Sequence, residues 1–260
     1  MSPELIQFAE ALTEYVRPGS FPVAVRMITK GESLPERCKR PWKDLQIRVA
    51  TCQAIAMARR YGWVLAVGNE DLSCPLSAVT FGFRRPSDFY RQGKACAGMY
   101  TETKEAGIRS EEQVATFAPD SYEYILVAPL HRTTFEPHVM VVYANPAQIL
   151  RLVSAALWKS GGRLTSSVGG RIDCSEEIIV PMGSGKCEMI LPCHGDRIFA
   201  HTQDHEMAFS IPRGRVAEIA DGLAGTHQGG LRYPIPSFLR YSGVFPAQYM
   251  NVAEEPAPGG

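Results

Sequence analysis

The chain has 260 residues, 45% of them hydrophobic, and its 27 Lys and Arg balance 27 Asp and Glu. That length buries a sizeable core without external staples, and neutral charge with no basic aromatic face excludes a nucleic-acid-binding class. The longest apolar runs, 124–130 and 139–143, have strand length, so no membrane span is expected.

Pro3 to Val16 places Leu5, Ile6, Ala9, Leu12 and Val16 at helical spacing, and Val23 to Ile28 reads as a strand. An irregular basic stretch, Thr29 to Lys43, is a candidate lid or binding loop. Thr51 to Ala58 reads as a helix stopped by Gly62, and Trp63 to Val67 as a strand. Ser110 is expected to open a short helix that Pro119 terminates. Strands are expected near 124–130 and 138–144, then a helix from Pro146 to Lys159 capped by Asn145. Cys174 to Ile179 can start a helix, Met189 to Leu191 a strand, and Arg213 to Leu223 the last helix. The fold class is α+β, a mixed sheet with packed helices, in a single domain over 1–244. Its two halves, about 1–120 and 121–244, read as degenerate copies, and 245–260 reads as a peripheral, disordered tail.

Cysteine placement carries the functional signal. Cys52 and Cys74 are 22 residues apart, Cys174 and Cys193 are 19 apart, and each pair opens near a helix start and closes after a strand-like run. Four thiolates suffice for a tetrahedral zinc site or a cubane iron–sulfur cluster, and a helix start favours the thiolate form. No Cys-x-x-Cys occurs, so the fold itself must gather the ligands. Cys38 lies in a basic loop, whereas Cys96 and Cys187 read as packing residues. Seven is an odd number of cysteines and the opening residues lack a secretory pattern. A reducing cytoplasm is therefore expected rather than a disulfide framework.

Other motifs fail on inspection. Gly185-Lys186 is followed by Cys187 and Val180 stands where a phosphate loop needs its first glycine; no Gly-x-Gly-x-x-Gly opens a helix. His201 and His205 flank Thr202-Gln203-Asp204, which reads as a turn and lacks the glutamate of a zincin. Gly169-Gly170, just before Cys174, would allow a close backbone approach to a cofactor. Residues 1–100 hold 14 Lys and Arg against 9 Asp and Glu, a bias that reads either as ordinary solvated surface or as help for an anionic ligand or acidic partner.

Pro22-Val23-Ala24-Val25, Cys52 before Gly62, Glu70-Asp71 leading into Cys74, Asn145-Pro146, Cys174 and Leu191-Pro192-Cys193-His194-Gly195-Asp196-Arg197 together resemble the prokaryotic family known as domain of unknown function 169. The likeness runs from about residue 5 to about residue 225. It implies one cytoplasmic prokaryotic domain, directs attention to the same four cysteines and supplies no substrate. His194 and Asp196 depart from the small or basic residues expected at those positions.

Two function classes follow. In the first, Cys52, Cys74, Cys174 and Cys193 hold a 4Fe-4S cluster in a redox protein of anaerobic metabolism, with Arg59 and Arg197 placing positive charge near the thiolates and a redox protein as partner. A structural zinc–thiolate site is its variant. In the second, the halves enclose a metal-free pocket for a small acidic or aromatic ligand, with Arg84, Arg85 and Tyr90 as contacts.

Overall fold

The computed structural model describes residues 1–235 and residue 252. Apart from Val252, the tail expected at 245–260 lies outside the described residues. Helix α1 (Pro3–Tyr15) has proline in its first turn and buries Leu5, Phe8, Ala11 and Leu12, a stripe at helical spacing. β1 (Val23–Ile28) follows, then the short α2 (Pro41–Leu45), so the basic stretch before it ends in a helical turn. In α3 (Thr51–Tyr61) the Gln53 side chain accepts the Ala50 N–H at 2.8 Å, and Gly62 closes the helix at φ +72°.

β2 (Leu65–Val67), α4 (Pro75–Thr80), α5 (Asp88–Arg91) and α6 (Lys104–Glu112) come next. α6 starts ahead of Ser110 because the Thr103 hydroxyl accepts the Ala106 N–H and caps it there. β3 (Tyr124–Pro129) and β4 (Val139–Ala144) lead into α7 (Pro146–Ala156), where Asn145 and Gln148 cap each other reciprocally. One π-helical turn, Ser175–Ile179, runs into α8 (Val180–Ser184), and then come β5 (Glu188–Ile190) and α9 (His194–Phe199). β6 (Met207–Pro212) and α10 (Val216–Gln228) complete the described elements.

The strands form one antiparallel sheet in the order β2-β3-β1-β4-β6-β5. Read outward from the central β1–β4 pair, both halves run first, third, second strand. β1 and β4 are antiparallel, with Val23 opposite Val141, as a twofold axis between the halves requires. The division between the repeated units therefore falls between β3 and β4. A boundary near residue 120 would part β3 from β1 and β2, its two neighbours in the sheet.

Helices cover both faces. α1, α7 and α10 pack over Ala24, Met140, Val142, Phe209 and Ile211, and α3, α4 and the π turn pack over Val25, Val127, Val141 and Ile190. Burial on both sides explains strands that are apolar along their whole length. Among the described residues no helix is long and apolar enough to cross a membrane.

α10 lies close against α7 because Gly222 has no side chain. A Cβ there would stand 2.2 Å from the Ala155 carbonyl oxygen, which is backbone and cannot swing away. Gly222→Ala is expected to cost about 1–3 kcal/mol by forcing the two helices apart. The measurement is a urea melt, where the midpoint should fall at unchanged slope.

Candidate functional site

All four paired cysteines line one cavity of about 680 Å³ on the α3–α4 face of the sheet. Cys52 sits in the first turn of α3, Cys74 and Cys193 occupy the residue just ahead of α4 and α9, and Cys174 precedes the π turn. Cys38, Cys96 and Cys187 do not line it. Most of the cavity wall is apolar, with Arg84, Arg85, Tyr90 and Arg171 among its polar members.

The repeated units also match in local detail. In the first, Thr51 precedes Cys52, and its hydroxyl is hydrogen-bonded to that of Ser77, three residues after Cys74. In the second, Asp173 precedes Cys174, and its carboxyl has an oxygen within 4.8 Å of that of Asp196, three residues after Cys193. The Ser77 N–H donates to the Cys74 sulfur at 3.5 Å, whereas the Cys193 sulfur makes no such cap to its helix. Each half thus contributes two cysteines and side chains that tie its two cysteine segments together. A hydroxyl pair does this in the first half, and in the second the Asp173 carboxylate does it by accepting a backbone N–H from each segment.

The carboxyl half is densely acidic. Asp173, Glu177 and Asp196 are all buried, and each offers a carboxylate oxygen within 4.8 Å of the others. Asp173 accepts the backbone N–H of Cys174 at 3.0 Å and that of Cys193 at 2.9 Å. The Tyr143 hydroxyl lies 2.6 Å from Glu177 and 2.9 Å from Asp196, and Thr202 donates to Asp196 at 3.0 Å. A phenol has one proton to donate, so one of its two carboxyl neighbours must itself be protonated to complete both bonds.

Burial drives the titration of this cluster. It pushes Glu177 well above the usual carboxylate range, with repulsion from Asp173 and Asp196 added, and it raises Asp173 against the opposing effect of the N–H groups that Asp173 accepts. Asp196 is pushed up to about 7 by burial and by repulsion from Asp173. The Cys193 thiol is pushed up to about 12, and Cys52 and Cys174 are raised further, chiefly by burial and then by nearby carboxylates. Helix N-termini point the other way, but each is worth only about 0.3–1 kcal/mol, whereas burying an unpaired charge costs several. In the ion-free cavity these three cysteines are thiols, and any metal bound to them must displace protons.

The sequence matches the family of domain of unknown function 169, described as an uncharacterised ArCR, over residues 11–222. The chain belongs to this family. An uncharacterized protein of Methanocaldococcus jannaschii is 25% identical over 223 residues, covering 85% of this chain and 94% of the relative. No solved structure matches the chain. All four cysteines and the three carboxylates fall within the matched span.

Of the other expected site residues, Arg84, Arg85 and Tyr90 line the cavity and the remainder do not. Arg59 stands one layer behind it, 4.0 Å over the Tyr143 ring, with its guanidinium donating to Glu206 and Thr202. Arg197 is tied to the Gln203 carbonyl at 2.7 Å, away from the sulfurs. Gly169 borders a separate groove, where its N–H donates to Glu176 at 2.8 Å, and Gly170 has a positive φ of 71°. His201 and His205 are exposed and outside any helix, as the turn-like Thr202-Gln203-Asp204 between them predicts. Sequence reasoning missed Tyr143, Asp173, Glu177 and Asp196. A usable signal existed for two of them: acids stand one residue before Cys174 and three after Cys193, where the first half has Thr51 and Ser77.

Asp196 gives stability a definite pH dependence. Its folded pKa, about 7, lies above the value near 4 of an exposed aspartate, so the folded state binds this proton more tightly. The contribution is complete below about pH 4 and is lost as pH rises through 7, an effect of at most about 4 kcal/mol. In chelator, melting temperature should fall between pH 5 and 8, and Asp196→Asn should flatten that fall. Glu176, also pushed up to about 7, leaves a residual slope of the same sign.

Proposed function

We propose that the protein holds an iron–sulfur cluster of the four-iron class through Cys52, Cys74, Cys174 and Cys193 and serves as a redox protein in anaerobic metabolism. The observation that supports this reading is that these four cysteines, and no other, line one largely apolar cavity. A four-iron cluster bound there would supply one-electron transfer, and with all four irons ligated by protein it favours exchange with a partner protein over substrate chemistry.

The chain's own groups have defined parts. Metal binding at the buried thiols of Cys52, Cys174 and Cys193 releases protons, the N–H of Ser77 donates to the Cys74 sulfur, and the apolar walls limit water. A cluster and zinc ask for different spacing. Zinc with bonds of ~2.3 Å needs sulfurs about 3.8 Å apart, whereas a cubane takes each sulfur on a separate iron and spreads them more widely. Among the described residues the ligand atoms gathered within 4.8 Å of one another are those of Asp173, Glu177 and Asp196, with no cysteine included.

A second reading rests on the size of the cavity. About 680 Å³ falls inside the range of small-molecule pockets, and Arg84, Arg85 and Tyr90 on its wall suit an acidic or aromatic ligand without any metal.

Protein purified without oxygen should be brown, absorb broadly near ~400 nm and contain about four iron and four sulfide per chain. Cys52→Ser, Cys74→Ser, Cys174→Ser and Cys193→Ser should each lower iron, and Cys38→Ser should not. Zinc without sulfide, or equal iron in all five variants, would sink the cluster. Metal-free protein whose melting temperature rises with a small acidic ligand would establish the pocket reading instead.

A further inference from the structure

We propose that Asp173, Glu177 and Asp196 form a second site, for a hard divalent cation of the Mg²⁺ or Mn²⁺ kind, in the wall of the cysteine cavity. The three carboxylates come within 4.8 Å of one another, and an octahedral ion with bonds of ~2.1 Å, whose ligands stand about 3.0 to 4.2 Å apart, would draw them together by small side-chain shifts. All-oxygen donors select hard ions, which separates this site from the sulfurs beside it.

An unpartnered atom points to the same ligand. Glu177 is completely buried, and its Oε2 has no hydrogen-bond partner. Native proteins rarely leave a buried carboxylate oxygen unsatisfied, because the cost of desolvation is then uncompensated. No neighbouring cation removes the deficit. Arg59, the nearest, stacks on the Tyr143 ring and is committed to Glu206 at 2.6 Å and Thr202 at 3.0 Å.

The remaining geometry suits an ion as well. Asp173 is fixed by two backbone N–H groups, Asp196 by Thr202 and Glu177 by Tyr143, so all three carboxylates are oriented before anything binds. Asp173 and Asp196 also line the cavity, which supplies a route of entry. Thr51 and Ser77, at the equivalent positions of the first half, carry no charge, so only the second half has an ion site. This proposal does not rest on the cluster, since its ligands are carboxylates and its probe is the metal alone.

The test uses full-length protein stripped with chelator under anaerobic conditions and titrated with MnCl₂, the free ion being followed by electron paramagnetic resonance. One Mn²⁺ per chain is expected, with melting temperature rising on the order of 5 °C at saturation. Asp173→Asn, Glu177→Gln and Asp196→Asn should each weaken binding at least tenfold and abolish that rise, and any one of them that folds decides the point. Cys52→Ser should keep the Mn²⁺ site even where it loses iron, so failure of the cluster and failure of this site are read separately. Wild-type protein that binds no Mn²⁺, or folded carboxylate variants that bind it undiminished, would overturn the proposal.

Discussion

The antiparallel pairing of β1 with β4 is the contact on which the site depends. It sets Val23 opposite Val141 and Val25 opposite Val139, all four facing the α3 side of the sheet. That register puts α3 and the π turn preceding β5 on one face, and so brings Cys52 and Cys174 to a common cavity although 122 positions separate them. Slipping the pairing by one residue would turn each strand's inward set over to the opposite face. The cysteine geometry is therefore a consequence of sheet register, and no local motif encodes it.

The same dependence explains which parts of the structure were legible in the sequence. Helices with strong local signals appear where expected: α7 has Asn145 as cap and Pro146 in its first turn, and α3 ends at Gly62. The recurrence of helix, cysteine, strand and cysteine in two segments foreshadowed the repeated unit. β6 went unseen because Met-Ala-Phe-Ser-Ile-Pro has small residues where a strand signal needs branched ones. It is a strand because Phe209 and Ile211 fill one core while Ala208 faces the other. The acidic cluster went unseen for another reason. Burial of a carboxylate depends on what long-range packing places over it, and Tyr143 reaches Glu177 and Asp196 from 34 and 53 residues away. Asp196, a departure from the expected family pattern, turns out to sit at the centre of the network.

Charge is where the two halves differ most. Thr51 and Ser77 tie the first unit together as neutral hydroxyls, and two acids, Asp173 and Asp196, stand side by side at the same positions of the second. A hydroxyl pair needs nothing further, because each oxygen can both donate and accept. Two carboxylates cannot hold each other unless a proton or a cation lies between them. The duplicated framework thus has one self-sufficient half and one that requires an additional positive species.

Arg59 does not meet that requirement. Its guanidinium pairs with Glu206 and stacks on the Tyr143 ring, and although its charge lowers the pKa values of Asp196 and Glu177, burial and mutual repulsion outweigh it. The pair is close to neutral as a unit, and seen from the cavity the second half therefore remains an array of three acids. Protons satisfy this array only by keeping Asp196 and Glu177 neutral, and they also keep the adjacent sulfurs as thiols. Thiolate ligation at Cys52 and Cys193 adds negative charge to a wall that already repels it. A dication among the carboxylates would reverse that repulsion, making deprotonation of the cysteines easier beside an occupied acidic site than beside an empty one.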